Sequence, residues 1–453
     1  MWVHERWWFK LAHVCRRWRY LVLGSASHLG LCLLCTYGTP VADMLAHSPP
    51  FPIIIDYIDE DREVTTEDEE GILLALRHRD RVRRIRLWRD VPNLRTLLMA
   101  LDDGFPILEF LYIEALAKQD SDAGLMLPKT LQAPHLRHLV LDNFAIPIGS
   151  PLLTASAVLA TLSLINIHPS AYFTPNDLLQ RLSLLPQLET LGIEFYSPIP
   201  YRDVEMQLSR TPMATHVTLP TLRWFGFRGT SAYLEALLPR MTTPLLQKLQ
   251  VLFFNQLTFS IPHLVQFIRM AENLRFGSVR IEFFAKGVNV FVHPSEEAGV
   301  YALYMHVICK VFDWQVASAA HILTALGTMF SDVEHLTLEY GGHFVSAEWH
   351  NEADRTQWRE LLRSFSKVKT LRVDDELIWE LSHSLRLEEG ESPLELLPEL
   401  KKLSYPASGF AADLFAPFLY MRQSVGAPVV LVRRASSRSE SLVSVASVST
   451  NGY

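Results

Sequence analysis

The sequence has 453 residues, of which 49% are hydrophobic and 20% charged, and its formal net charge is −7 at pH 7. A chain of this length exceeds what one compact core usually supports, so several domains or a repeat array are expected. The acidic balance excludes the global basic field that drives sequence-independent binding to nucleic acid or anionic membranes. We therefore expect neither nucleic acid nor membrane as a partner.

Cysteine content and apolar runs indicate the compartment. Four cysteines are too few for a disulfide framework, and no Asn-x-Ser/Thr acceptor occurs in the chain. The N-terminus has no uninterrupted apolar signal region, and no later run approaches the roughly 18 apolar residues that a membrane span requires. These features predict a soluble protein of the cytoplasm or nucleus.

The first predicted element is an N-terminal helix with one apolar stripe. Apolar side chains recur at intervals of three and four residues, while arginines occupy the other faces; the stripe comprises Trp7, Leu11, Val14, Trp18 and Leu21. Gly24 is a helix stop, and a second helix begins at Pro40 and is ended by Pro49 and Pro50. We expect residues 1–55 to form a small, mostly helical segment.

An acidic stretch separates this segment from the rest of the chain. Nine Asp or Glu residues lie between Asp56 and Glu70, which predicts a solvated connector over residues 56–65. Thr66 and Glu69 have the spacing of a capping box, so a helix is expected to begin there.

Beyond the connector, a pattern of apolar, two residues, apolar, one residue, apolar recurs at separations of 23 to 35 residues. Its copies are "VRRIRL", "LEFLYI", "LRHLVL", "LATLSL", "LETLGI", "LRWFGF", "LQKLQV", "FGSVRI", "VYALYM", "VEHLTL", "VKTLRV" and "LKKLSY". Each copy predicts a short strand with alternate residues buried, and helical spacing often follows it. Because one such unit cannot close a core alone, we expect stacking of neighbouring units.

Strand plus helix, repeated, is the plan of leucine-rich repeats. The expected fold is therefore α/β, an irregular leucine-rich-repeat solenoid over residues 66–432. Residues 433–453 are Ser-rich and lack a packing pattern, so a disordered tail is expected there. Within it, Arg433 to Ser436 has the form that basophilic kinases accept, although a merely solvated terminus is the plainer interpretation.

The N-terminal segment also carries a family resemblance. "WWFKLAHVCRRWRYLVLGSASHLGLCLLCTYGTPV", Trp7–Val41, resembles the second half of the F-box-like motif found at the head of many fungal F-box proteins, and "VCRRWR" is its most specific part. The resemblance implies docking on a Skp-type adaptor of a cullin-RING ubiquitin ligase, with the repeats holding a protein substrate. It implies that five residues form the adaptor-facing helix: Leu11, Val14, Cys15, Trp18 and Leu21.

The chain departs from the family pattern at its start. The motif opens with a Leu-Pro pair and a first helix, and nothing before Trp7 supplies them. Either the sequence is incomplete there, or the box is degenerate and its adaptor contact weak or lost. The first alternative predicts a substrate-recruiting adaptor, and the second a protein-interaction scaffold without ligase function.

Exposed aromatic residues on or after repeat strands are the candidates for substrate binding, because Trp and Tyr dominate the energetics of protein interfaces. They are Trp88, Tyr196, Trp224, Tyr340 and Trp349. Packing in the core or in loops is the alternative for each. Alternation along "LRWFGF" places Trp224 on the side opposite the buried residues.

No local signature indicates an enzyme, a metal or a cofactor. Phosphate-binding, nucleophile-elbow and zinc-protease motifs are all missing from the sequence. Cys32 and Cys35 have the spacing of half a zinc site, but two buried thiols are the better interpretation. Seven Arg residues between Arg77 and Arg89 could bind phosphate backbones, whereas their alternation with apolar residues favours charge matching within the fold.

Overall fold

The computed structural model describes residues 10–11, 13–24, 30–58, 62–116, 125–147, 149–197, 216–254, 260–297, 299–309, 311–341, 355–387, 390–406 and 411–434. The chain divides into unit 1, Met1–Phe254 with Ser260–Asn273, and unit 2, Asn255–Phe259 with Leu274–Tyr453. The fold is mixed α/β with a large, mostly parallel sheet. None of the described helices is both long and apolar enough to cross a bilayer.

The strands of unit 1 form one parallel sheet and two short pairs. They are β1 Leu33–Cys35, β2 Ile53–Tyr57, β3 Val82–Asp90, β4 Phe110–Leu116, β5 Leu125–Met126, β6 His138–Asp142, β7 Phe144–Ala145, β8 Thr161–Ile167, β9 Thr190–Phe195, β10 Val217–Thr218, β11 Trp224–Gly229, β12 Met241–Thr242 and β13 Lys248–Phe253. The main sheet has the order β1-β2-β3-β4-β6-β8-β9-β11-β13, and each neighbouring pair within it is parallel. The short pairs are β5–β7 and β10–β12.

The helices of unit 1 lie between these strands in the chain. They are α1 Arg16–Gly24, α2 Val41–His47, α3 Thr66–Arg77, α4 Val91–Ala100, α5 Pro151–Thr154, α6 Pro175–Leu182, α7 Ser231–Leu237 and α8 Pro262–Met270. Single 3-10 turns occupy Pro169–Ala171 and Leu238–Arg240. Strand followed by helix is therefore the usual connection, as a parallel sheet requires.

The apolar pattern explains the register of the sheet. Leu139 of β6 pairs with Leu111 of β4 on one side and with Leu162 of β8 on the other, and all three are buried. Because side chains alternate along a strand, aligned triplets bury one continuous face. The triplets predicted from sequence thus lie side by side on one sheet within unit 1.

Helix starts are encoded by side-chain caps. The Thr65 hydroxyl accepts from the backbone N–H of Asp68 at 3.2 Å, and the Asp68 carboxylate accepts from the N–H of Thr65 at 3.1 Å. The capping box therefore lies one residue earlier than the expected Thr66–Glu69 pair. Asp68 also accepts from the N–H of Gly38 at 2.8 Å, which ties α3 to the loop before α2.

The expectation of a mostly helical segment over residues 1–55 is wrong for its second half. Residues 33–35 and 53–57 are strands β1 and β2, paired in register from Leu33 with Ile53 to Cys35 with Ile55. Alternate residues Leu33, Cys35, Ile53 and Ile55 are buried, which is the period of a strand. The parallel sheet therefore begins before the acidic stretch, whose first residue, Asp56, lies within β2.

Within unit 2 the strands lie in the order β16-β15-β14-β17-β18-β19-β20. Its strands are β14 Ser278–Phe284, β15 Gly287–His293, β16 Leu303–Ile308, β17 His335–Tyr340, β18 Thr370–Val373, β19 Lys402–Pro406 and β20 Val430–Arg434. Its helices are α9 Phe312–Leu326, α10 Arg355–Arg363, α11 Ile378–Ser384 and α12 Ala411–Ser424, with 3-10 turns at Gly327–Met329 and Asp375–Leu377.

One strand of unit 2 breaks the repeat plan. β15 pairs antiparallel with both β14 and β16, so the "FGSVRI" and "VYALYM" copies lie on the outer strands of an antiparallel meander. No repeat copy was predicted for β15. At the other end, Arg433 and Arg434 belong to β20 rather than to a disordered tail, and residues 435–453 of the predicted tail lie outside the described residues.

Candidate functional site

The side of the unit 1 sheet opposite the buried triplets carries polar and aromatic residues in three aligned rows. The first row is Arg84, Phe110, His138, Thr161, Thr190, Trp224 and Lys248; the middle row is Arg86, Tyr112, Val140, Ser163, Gly192, Gly226 and Gln250; the last row has two parts, Trp88, Glu114, Asp142 and Ile165 from β3 to β8 and Glu194, Arg228 and Leu252 from β9 to β13. We call this side the row face. The first two rows run across the strands from β3 to β13, whereas a register shift between β8 and β9 interrupts the last row.

The middle row has small residues at its centre, namely Ser163, Gly192 and Gly226. A Cβ added at Gly226 would lie 2.3 Å from Cη2 of Trp224, and one added at Gly192 would lie 2.9 Å from Oγ of Ser163 and 3.3 Å from Cζ3 of Trp224. The indole of Trp224 therefore lies across both glycines. Larger residues at either position would displace the ring, so these glycines are required by close approach.

Acidic side chains dominate the last row. Glu114, Asp142 and Glu194 lie on β4, β6 and β9, and all three are partly buried. The Tyr112 hydroxyl donates to Glu114 at 2.5 Å, and Nδ2 of Asn166 donates to Asp142 at 2.7 Å. Like charges on adjacent strands are unfavourable. Placing these carboxylates in one row therefore lowers the free energy of unfolding.

Burial changes the pKa of these carboxyl groups. Burial raises the pKa of Asp142 to about 6; the hydrogen bond from Asn166 opposes this rise, and the charge of Glu114 adds to it. Burial also raises the pKa of Glu194, and the charge of Arg228 only partly offsets the effect. Cationic groups of the protein thus only partly offset the effect of burial on these carboxyl groups.

Arg228 lies at the end of this acidic row. Its Nη1 donates to Oδ1 of Asn166 at 3.4 Å, and its guanidinium lies 5.6 Å from the centroid of the Phe254 ring. Asn166 thereby bridges Arg228 and Asp142. Sequence reasoning missed this cluster, although Asn143 and Asn166 follow two of the clearest triplets and were a local signal for it.

The structure places the five aromatic candidates in different regions. Trp88 and Trp224 lie on the row face, about 24 Å apart over five strand spacings. Tyr196 follows β9 and is exposed. Alternation places Tyr340 on the side of the buried Leu338, and burial raises its pKa to about 12. Trp349 lies outside the described residues.

The predicted adaptor-facing stripe is not one continuous helix. Leu11 belongs to a short helical piece, Val14 lies in a turn, and α1 begins only at Arg16. Cys15 precedes α1, where its sulfur accepts from the N–H of Trp18 at 3.5 Å and its carbonyl from Arg19 at 3.0 Å. The serine-like capping position of Cys15 explains the break, because a helix starts where a side chain can satisfy its first N–H groups.

Most of the stripe is nevertheless accessible. The exposed fractions of Val14, Trp18 and Leu21 are 63%, 47% and 58%. Cys15 is exposed and Leu11 is partly exposed, whereas Val22 is buried. A large aromatic side chain and two aliphatic ones therefore share an accessible apolar patch at the N-terminus.

The other sequence candidates have structural partners. Arg86 pairs with Asp56 at 3.1 Å and Arg83 with Glu109 at 2.9 Å, while Arg79 pairs with Asp103. Three members of the arginine run are therefore matched by carboxylates. Cys35 is buried and Cys32 partly buried, and within the described ranges no group of three or more His, Cys, Asp or Glu could hold a metal ion.

Models of known protein families and curated proteins were both compared with this chain, and none of them matches it.

Proposed function

We propose that this chain is a substrate-recruiting adaptor of a Skp-cullin-F-box type ubiquitin ligase, with no catalytic activity of its own. The accessible patch of Val14, Trp18 and Leu21 carries this proposal. Apolar residues at helical spacing are what a partner's groove recognises. The resemblance of "VCRRWR" to the F-box-like motif names the partner as a Skp-type adaptor. The few cysteines and the lack of Asn-x-Ser/Thr acceptors favour the cytoplasm or nucleus as the compartment.

Within this proposal, the sheet of each unit belongs to a leucine-rich-repeat solenoid that binds a protein substrate. Aligned triplets from β3 to β13 support the repeat architecture. Repeats of this kind present long sheet surfaces to partners. The row face is the surface of unit 1 that carries polar and aromatic side chains suited to such contacts.

Binding of the full chain to a purified Skp-type adaptor tests the proposal. We expect direct binding, and Trp18→Ala should weaken it at least tenfold, because a buried Trp at an interface contributes about 2 kcal/mol or more. Tyr20→Ala is the matched control, since Tyr20 is exposed on another face of α1. Equal losses for the two variants, or no binding by the unchanged protein, would exclude the adaptor role.

The alternative is a protein-interaction scaffold whose F-box is degenerate. The observation that favours it is the pairing of β1 with β2, because β1 lies within the resembling segment and leaves only α1 as a longer helix before it. Here α1 would cap the repeats through buried Val22. This alternative predicts no adaptor binding, a loss of stability in Val22→Asp, and no change in stability in Trp18→Ala.

A further inference from the structure

We infer that the row face binds a basic, extended segment of the partner protein through Glu114, Asp142 and Glu194. The inference rests on the proposed function, in which the sheet of unit 1 holds a protein partner, and it names the chemistry of that partner. Lysine or arginine side chains would supply the positive charge that Glu114 and Asp142 do not receive from an ion pair among the described residues.

The first argument is the contrast between carboxylates on the same sheet. Asp56 and Glu109 each form an ion pair with an arginine of β3. Among the described residues, no ion pair involves Glu114, Asp142 or Glu194; the hydrogen bonds of Glu114 and Asp142 come from the neutral side chains of Tyr112 and Asn166. The fold therefore neutralises carboxylates elsewhere but leaves this row acidic.

The second argument is the position of the one cation in the acidic part of the row. Arg228 lies on β11 in register with Glu194 of β9, and it is engaged by Asn166 and by the Phe254 ring. Glu114 and Asp142 lie three or more strands away from it, at about 4.8 Å a strand. Among the described residues Arg228 forms no ion pair with these two carboxylates and reaches Asp142 only through Asn166, so charge complementarity calls for cations from a partner.

Spacing defines the segment that fits. Glu114 and Asp142 are on adjacent strands, and Glu194 lies two strands beyond Asp142. The distance from the first pair to Glu194 is about 12 Å, and an extended chain covers about 13 Å in four residues. Basic side chains at positions i and i+4 would therefore reach both acidic points.

Two features of the row face suit an organic cation. Trp88 pairs in register with Glu114, so an aromatic ring lies next to a carboxylate, an arrangement that attracts ammonium and guanidinium groups. The carboxylates are also spread along a row, and the described residues contain no metal-binding group of His, Cys, Asp or Glu. A divalent ion is therefore a poorer fit than lysine or arginine.

The test uses the full chain and two fluorescein-labelled Gly/Ser peptides, one with lysines at i, i+4 and i+8 and one with glutamates there. Fluorescence anisotropy should show binding of the lysine peptide only, with affinity that falls as salt is raised. The double variant Asp142→Asn with Glu194→Gln should bind the lysine peptide at least tenfold more weakly. Glu272→Gln, at an exposed position outside the rows, should bind unchanged.

Three results would overturn the inference. They are equal binding of the two peptides, unchanged binding by the double variant, and no peptide binding by a chain that still binds the Skp-type adaptor. The last result leaves the proposed function intact. Peptide binding by a chain that does not bind the adaptor would instead overturn the proposed function alone. Both substitutions keep the size of the side chain. A melting temperature no lower than that of the unchanged chain verifies that the double variant folds.

Discussion

Two asparagines end strands of the unit 1 sheet in a conformation that few residues adopt. Asn143 and Asn166 have φ values of 57° and 52°, in the left-handed region. Other residues with a Cβ pay roughly 1–2 kcal/mol there, whereas Asn tolerates it because its short side chain forms local hydrogen bonds. Nδ2 of Asn143 donates to the carbonyl of Ala115 at 3.0 Å. Each asparagine thus combines backbone geometry with a bond to the neighbouring repeat.

Substitutions at Asn143 separate the contribution of the backbone conformation from that of the hydrogen bond. Asn143→Ala should lower the free energy of unfolding by about 2 kcal/mol, because it loses the hydrogen bond and strains the backbone. Asn143→Gly should cost about 1 kcal/mol less than Ala, since glycine tolerates positive φ. Urea titration monitored by circular dichroism measures both values. A glycine variant less stable than the alanine variant would contradict this explanation.

Asp142 makes stability depend on pH. Its folded pKa, about 6, exceeds the ordinary value of 3.8, so the folded state binds a proton between these pH values while the unfolded state does not. The free energy of unfolding therefore rises as the pH falls from 7 towards 4. Glu114 and Glu194 act in the same direction by repelling the ionised form, and Arg228 opposes them.

Asp142→Asn should stabilise the protein at pH 7 by about 1 kcal/mol, a value reduced from the full pKa shift because the carboxyl keeps some contact with solvent. At pH 4 the gain should vanish. Asp374 also has a pKa raised to about 6 by burial, so part of the pH dependence will remain in the variant. Thermal melts at pH 4, 5.5 and 7 measure the difference. A variant that is less stable at pH 7 would show that Asp142 supports the fold instead.

At the scale of elements, a buried arginine holds α12 in unit 2. The guanidinium of Arg422 donates to the carbonyl oxygens of Pro393, Pro398 and Leu400 at 3.4, 2.9 and 3.2 Å. Burial lowers its pKa. The segment that contains these three carbonyls has no helix or strand, so Arg422 satisfies backbone groups that no secondary structure satisfies.

Arg422→Met should lower the free energy of unfolding by about 2–3 kcal/mol, because it leaves buried carbonyls without a donor. The control is Arg363→Met, which removes a half-exposed ion pair with Glu395 and should cost less than about 1 kcal/mol. Chemical denaturation of the two variants gives the comparison. Similar losses would show that the carbonyl contacts of Arg422 contribute little.

At the scale of the whole molecule, stability of the sheet depends on contacts between successive triplets. Leu139 is fully buried between Leu111 and Leu162. A single repeat cannot bury its apolar edge alone, so the loss of one triplet removes the neighbour on which two others depend. Damage at one strand should therefore spread to adjacent strands of unit 1.

Leu139→Asp should unfold the repeats around β6, because an unpaired carboxylate is placed in the apolar layer. Val140→Asp is a matched control one residue away, where the side chain belongs to the row face. Limited proteolysis with mass mapping should find new cuts between β4 and β9 only in the Leu139 variant. Protease resistance retained in that variant would refute the stacking argument.

The strands that carry triplets could be predicted from sequence because alternation alone decides which side of a strand is buried. "LRHLVL" and "LETLGI" became β6 and β9 on this basis. Strands β1 and β2 were missed since residues 1–55 as a whole were expected to be mostly helical. β15 was missed because it follows β14 after two residues as an antiparallel hairpin, a connection that a strand-plus-helix repeat does not contain. The break before α1 depends on a local cap at Cys15 that periodicity does not reveal.

By itself, the sequence determined local structure. It specifies which residues form strands, which face of a strand is apolar, and where a capping pair such as Thr174 with Asp177 starts a helix. Only the tertiary structure decided the register between strands, and with it the row that joins Glu114, Asp142, Glu194 and Arg228. These residues come from four strands separated by connections of different length. Their meeting depends on how each triplet aligns with the next, which is a property of packing between distant segments rather than of any one segment.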